Sequence, residues 1–317
     1  MDSSYRSGAF LLNIEEKCVE SYFSTLLHEY IHFLQETCTY NGILYRKALY
    51  DNTSIVNKTI INGCNIDCLT SIAGRHSNLI PQIAKLEGLT IIEYGTSILG
   101  AKAIKENMAY LAQKYLLNSY DGKGYPKETL KLYKKRTGYN AISLFIESEC
   151  AFLKDDYLSQ FILDDISLMS ENPAVTLINL LNIIQQNPNP LNNKNDREKA
   201  KYLYKEHFGY SIQQSKVDCQ YGIKKYISSI LPKEQSTNID KIATKICGIC
   251  EENYKKRMSR PSIIAEKLIE YKEKSQNYLS QENDNEEFKI FTEIFFQSFG
   301  MPIINKRIDT FLSFNYK

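Results

Sequence analysis

Long apolar runs are missing from this 317-residue chain, and with them any helix of about 20 apolar residues that could span a bilayer. An excess of charge is missing too. The 39 Lys and Arg against 37 Asp and Glu leave a formal net charge of +2, which argues against a surface built to attract phosphates. The basic clusters Lys134-Lys135-Arg136 and Lys255-Lys256-Arg257 stand at expected helix ends, where cations are favoured for dipole reasons alone. Met1-Asp2-Ser3-Ser4-Tyr5-Arg6 carries an early acid and no apolar run of export-signal length. The eight cysteines (18, 38, 64, 68, 150, 219, 247, 250) lack the spacing of a disulfide framework. A reducing cytoplasm is therefore the expected location, with neither nucleic acid nor membrane as a partner.

Histidine is scarce as well, with four in the chain, and half of them fall in one pentapeptide, His28-Glu29-Tyr30-Ile31-His32. Residues four apart lie on the same face of an α-helix, so both imidazoles can converge on one ion. Glu29 projects roughly 100° round the helix from His28 and can reach a water on that ion without ligating it. Composition alone would produce such a pattern roughly 0.006 times per chain. The segment from Glu15 to Thr39 reads as one amphipathic helix, with Val19, Phe23, Leu26, Leu27, Tyr30, Ile31 and Leu34 as its apolar set, and Asn41-Gly42 supplies a stop. The motif thus sits mid-helix, where its geometry works.

Leu27-His28-Glu29-Tyr30-Ile31-His32-Phe33-Leu34-Gln35 resembles the active-site helix of the zincin metallopeptidases. The nearest variant is the gluzincin type. The resemblance implies a Zn2+ cofactor held by His28 and His32, a glutamate ligand on a later helix, and Glu29 as the general base of peptide hydrolysis. It covers about the first 115 residues, and only the pentapeptide is specific. The metzincin branch would need a histidine at position 38, which is Cys38.

Glu106 is the leading candidate for the third ligand. It lies in Gly100-Ala-Lys-Ala-Ile-Lys-Glu-Asn-Met-Ala-Tyr-Leu-Ala-Gln113, which is helical by pattern, with Ile104, Met108, Leu111 and Tyr115 on one stripe. Its small residues let another helix backbone come close, within reach of a short carboxylate. The run from Glu106 to Tyr110 also resembles the gluzincin third-ligand helix. Glu149, on the stripe of Ile142, Ile146 and Leu153, is the alternative, followed by Glu93 and Glu147. Tyr110 and His76 are candidate stabilisers of a developing oxyanion. A di-iron site would need a second Glu-x-x-His; Ala73 stands three before His76 and Tyr204 three before His207, so that reading fails. Cys64/Cys68 and Cys247/Cys250 suit a helix core better than a zinc knuckle.

The expected fold class is α+β and predominantly α-helical, with a zincin-like active-site helix, a small sheet at most and a helical C-terminal half. Only 27 residues precede His28, so the sheet that usually comes before a zincin active-site helix must be small, rearranged or absent. A short strand is expected over 8–14 and a hairpin or a sheet edge over 54–61. Helices are expected near 100–118, 127–136, 140–156 and 173–186. Others follow near 196–208, 211–231, 238–256, 261–280 and 285–299. Gln186-Asn-Pro-Asn-Pro-Leu-Asn-Asn-Lys-Asn195 marks a boundary between a metallopeptidase-like domain, 1–186, and a helical domain, 196–317. The expected function is zinc-dependent hydrolysis of peptide bonds, with a protein or peptide as substrate. The competing class is a non-catalytic helical interaction protein with an incidental or structural metal site.

Overall fold

The computed structural model describes residues 4–6, 11–13, 19–45, 92–94, 97–117, 141–213, 238–275 and 284–304. These residues are predominantly helical. The expected hairpin or sheet edge over 54–61, the helix near 127–136 and most of the one near 211–231 lie outside them, as does His76. The strands are short. β1 (Ser4–Arg6) pairs antiparallel with β2 (Leu11–Asn13), inside the expected strand over 8–14. β5 (Ile303–Ile304), near the other end of the chain, adds to β2 in parallel. β3 (Ile92–Tyr94) and β4 (Ser97–Leu99) form an antiparallel pair that leads into the helix carrying Glu106.

The motif helix, α1 (Val19–Cys38), is buried from Leu26 to Cys38 on nearly every side and not merely along one stripe. Between Leu26 and Cys38 only His28 and His32 keep appreciable solvent contact. α2 (Ala101–Leu117) and α7 (Asn238–Ser259) lie against it, and together they cover the faces that a surface helix would leave wet. α1 ends at Cys38, beside the expected end at Thr39, and a separate helical stretch over 40–45 folds back onto it. A Cβ on Gly42 would lie 2.0 Å from the Gln35 carbonyl oxygen, so only glycine fits that approach.

Where one helix was expected over 140–156, the chain makes α3 (Ala141–Glu149), a 3-10 turn at Ala151–Leu153, and a fresh start. Asp155 stands at φ +60° and breaks the path, and Asp156 then caps α4 (Tyr157–Ser167) by accepting from the Ser159 backbone N–H at 3.2 Å. Every residue from Leu158 to Ser167 is buried, since α2, α5 (Pro173–Gln186) and α6 (Asp196–Gln213) all lie against α4. α5 begins as its sequence dictates, with Asn172 at the cap and Pro173 in the first turn. α6 runs through Gly209 because Ser211 continues the packing, its hydroxyl donating to the Ile166 carbonyl at 2.5 Å. The Asn/Pro-rich stretch after Gln186 holds a 3-10 turn at Asn189–Leu191. Helices on its two sides share one apolar cluster: α6 lies on α4 and α7 on α1.

α8 (Ile263–Ser275) and α9 (Asp284–Phe291) follow, and α9 passes into a π-helical turn at Thr292–Phe296 and a last helical turn at Gln297–Phe299. A buried ion pair sits inside this assembly. The fully buried Arg257 guanidinium bonds to the Asp165 carboxylate and the Pro261 carbonyl, and it stacks 4.9 Å from the Tyr204 ring centre. Cys38, Cys150, Cys247 and Cys250 are buried, with no disulfide among the described residues. No helix among those residues is long and apolar enough to cross a membrane.

Candidate metal centre

The spacing of His28 and His32 brings their rings together on one face of α1. The two Nε2 atoms are 3.3 Å apart and the rings meet edge to face at 4.9 Å. α2 lies across this face, its small residues Ala109 and Ala112 fully buried. The close approach delivers Glu106: its Oε2 stands 3.4 Å from His32 Nε2 and 3.7 Å from His28 Nε2. Among the described residues, these three side chains are the one group of His, Cys, Asp or Glu able to surround a single ion.

The dimensions test that fit. Bonds of about 2.0–2.1 Å at tetrahedral angles set ligand atoms about 3.3–3.4 Å apart. The three edges here, 3.3, 3.4 and 3.7 Å, are those of such a face, the longest only slightly expanded. Two imidazoles and one carboxylate are also a chemically apt donor set for zinc. The residues present fit the ion.

Electrostatics inside the triad point the same way. Burial works against charge on both sides, yet the two imidazoles, by hydrogen bonding and charge, hold the Glu106 carboxyl far below the usual carboxylate range. His32 moves upward: burial disfavours its imidazolium, but the Glu106 hydrogen bond and charge outweigh it, helped by Glu29 and Gln35. Without metal, the site therefore favours a cation between the imidazoles and the carboxylate.

Glu106 is held in place by its neighbour. Asn107 turns into the core, fully buried, and its Nδ2 donates to Asp164 Oδ2 at 2.6 Å. Its Oδ1 accepts from the Ser143 backbone N–H at 3.1 Å and from the Ser143 hydroxyl at 2.8 Å, covering the open end of α3. Burial lifts the Asp164 carboxyl well above its ordinary range despite the Asn107 donor. One amide thus locks α2 to both α3 and α4, and the adjacent Glu106 is left facing α1.

Glu29 is buried on the same helix, next to His28, and its charge raises the His32 pKa. The other candidates stand elsewhere. Glu149 is the half-buried last residue of α3, outside the triad, and its carbonyl accepts from Gln185 Nε2 at 3.1 Å. Glu147 accepts from Gln160 Nε2 at 3.4 Å, and Glu93 belongs to β3. Tyr110, one turn beyond Glu106, is buried with the Lys114 ammonium 4.9 Å from its ring centre.

Two side chains at the site escaped the sequence reading. His32 Nδ1 lies 2.9 Å from Gln35 Oε1, and His28 Nδ1 lies 3.1 Å from Gln113 Oε1. The signal was positional: Gln35 falls three residues after His32 on α1, and Gln113 falls seven after Glu106 on α2. No protein-family model, curated protein or solved structure matches this chain, so its functional reading rests on the site itself.

Proposed function

We propose that the protein is a zinc-dependent metallopeptidase of the zincin type, hydrolysing peptide bonds in a protein or peptide substrate. The observation that carries this reading is the triangle of His28 Nε2, His32 Nε2 and Glu106 Oε2, with edges suited to a tetrahedral ion. Structural zinc sites are closed by four protein ligands, whereas catalytic sites use three and keep one position open. Among the described residues the group has three members.

His28, His32 and Glu106 would hold the ion. Bound there, zinc supplies Lewis acidity, polarising a carbonyl oxygen and bringing the pKa of water toward neutrality. Glu29 accepts a proton from the attacking water and passes it to the leaving amine. Its position next to His28 on α1 suits that role, and it is not a member of the ligand triangle. Burial of α1 on its other faces holds both imidazoles and leaves solvent access on the histidine side.

The test is cleavage of a mixed library of internally quenched peptides by the purified protein. Cleavage should disappear on chelation and return with one equivalent of zinc per chain. A chain that binds one zinc, lost on removing either histidine, and cleaves nothing would instead support the non-catalytic interaction protein. A well-folded chain without affinity for zinc would refute the metal reading altogether.

A further inference from the structure

Gln35 is a buried side chain with both ends engaged. Its Nε2 donates to the Lys105 backbone carbonyl at 2.7 Å, and its Oε1 lies 2.9 Å from His32 Nδ1. The two ends of a carboxamide are not interchangeable here, because a backbone carbonyl can only accept. The Lys105 oxygen must therefore face the NH2 group, which turns the Gln35 oxygen toward the imidazole. That oxygen also can only accept, so His32 Nδ1 must carry the hydrogen. In the neutral ring, Nε2 is then left with its lone pair, directed at Glu106. One backbone carbonyl on α2 thus sets the tautomer of a histidine on α1, and it belongs to the residue just before Glu106.

Gln113 mirrors this arrangement from the other helix. It projects from α2, is buried, and sets its Oε1 3.1 Å from His28 Nδ1. An oxygen at that nitrogen again selects the Nδ1–H form and frees Nε2. With both rings so fixed, two nitrogen lone pairs and a carboxylate oxygen converge within 3.7 Å. Three acceptors at that range repel one another unless a cation lies among them.

We propose that Gln35 and Gln113 are positioning residues for the metal, a pair of neutral struts that bridge α1 and α2 and hold both imidazoles with Nε2 free. This rests on the zinc reading of the site. Carboxylate or carbonyl partners serve this purpose for many metal-bound histidines. An uncharged carboxamide orients the ring without adding negative charge, so the triad and a divalent ion together keep a net positive charge. Gln35 does more than orient, since its bond to Lys105 couples the distance between the helices to the aim of His32.

The experiment uses the full chain, its Gln35→Met and Gln113→Met variants, and zinc alone as probe. Nitrogen NMR of histidine-labelled, metal-free protein above the imidazole pKa reports the tautomers, and competition with a chromophoric chelator reports zinc affinity. The wild type should show Nδ1–H at His28 and His32. Each Met variant should lose that preference at its own histidine and about 10–100-fold in zinc affinity. Gln113→Glu, which restores an acceptor oxygen, should recover both the tautomer and the affinity, an outcome that a purely structural role for the amide does not produce. Unchanged zinc affinity in both Met variants would overturn the proposal while leaving the zinc site standing. A wild-type chain without zinc affinity would overturn the metal reading and this proposal with it, and the wild-type titration separates the two failures.

Discussion

The Tyr30 hydroxyl donates to the carbonyl of Gly300, 270 residues further along the chain, at 2.8 Å, and shares that donation with the Phe295 carbonyl at 3.1 Å. Tyr30 is the residue after Glu29, so the middle of the His28–His32 pentapeptide is anchored to the far end of the described chain. Its ring lies 5.3–5.5 Å from those of Phe33, Phe291, Phe295 and Phe296. The π-helical turn contributes, because it presents Phe295 and Phe296 to the same ring. One face of α1 thus carries the histidines that meet Glu106, and another packs on the C-terminal helices.

Tyr30→Phe keeps the ring and removes the donor. It should destabilise the protein by about 1–3 kcal/mol, because buried carbonyls lose their partner, while zinc content stays at one per chain. Urea denaturation with parallel elemental analysis measures both. Loss of zinc with unchanged stability would contradict the division of labour between the two faces.

His28→Ala, His32→Ala and Glu106→Ala should each weaken zinc binding sharply, since two protein ligands make a much poorer site than three. Glu149→Ala should leave zinc in place, because its side chain stands outside the triad. Chelator competition on the four variants decides this. A loss with Glu149→Ala alone would place the third ligand on α3.

Glu29→Gln keeps the shape of the side chain but cannot accept the proton of the attacking water. Zinc should remain bound and the fold intact, while peptide cleavage falls by about 10²–10⁴ or more. Full cleavage by this variant would remove Glu29 from the mechanism.

Zinc at the triad would compete with protons, and the sign of that competition follows from the shifts. His32 is raised above its ordinary 6.5, so in metal-free protein its stabilising contribution is complete below that value and fades as pH rises through the raised pKa. Glu106 is depressed below 4.5, so its contribution is complete above that value and fades on further acidification. The pair therefore supports the metal-free fold best between those two values. Zinc binding requires the imidazoles unprotonated, so the rise in Tm on adding zinc should grow from about pH 6 to about pH 8. Thermal melts across that range measure it, and a rise that shrinks with pH would contradict the assignment.

Arg257 and Asp165 are both fully buried and paired. Arg257→Met removes one charge and strands the other, and it should cost about 3–5 kcal/mol. The double variant Arg257→Met with Asp165→Leu should recover much of that loss, because no uncompensated ion remains. Denaturation of both against the wild type tests the coupling.

His28, Glu29 and His32 were legible in the sequence because their relationship is local: a spacing of four on a helix puts two rings on one face whatever lies around them. The starts of α5 and α2 were legible for similar reasons, a proline-bearing cap in one and a glycine before a periodic stripe in the other. α4 was not. Its residues are buried all round, so Asp164, Asp165 and Gln160 stand where an amphipathic reading expects apolar side chains, and no stripe remains to mark the helix. The choice among Glu106, Glu149, Glu93 and Glu147 was also beyond local pattern. All four are acids on plausible elements, and only the packing of α2 across α1, locked by Asn107, brings Glu106 to the imidazoles. The partners of the two Nδ1 atoms lie in the same class. Glutamine binds nothing by spacing alone, and the contact of two helices turns Gln35 and Gln113 toward the rings. The sequence determined which side chains could hold an ion from one helix; tertiary packing decided which carboxylate meets them, because that distance is set between helices and not along one.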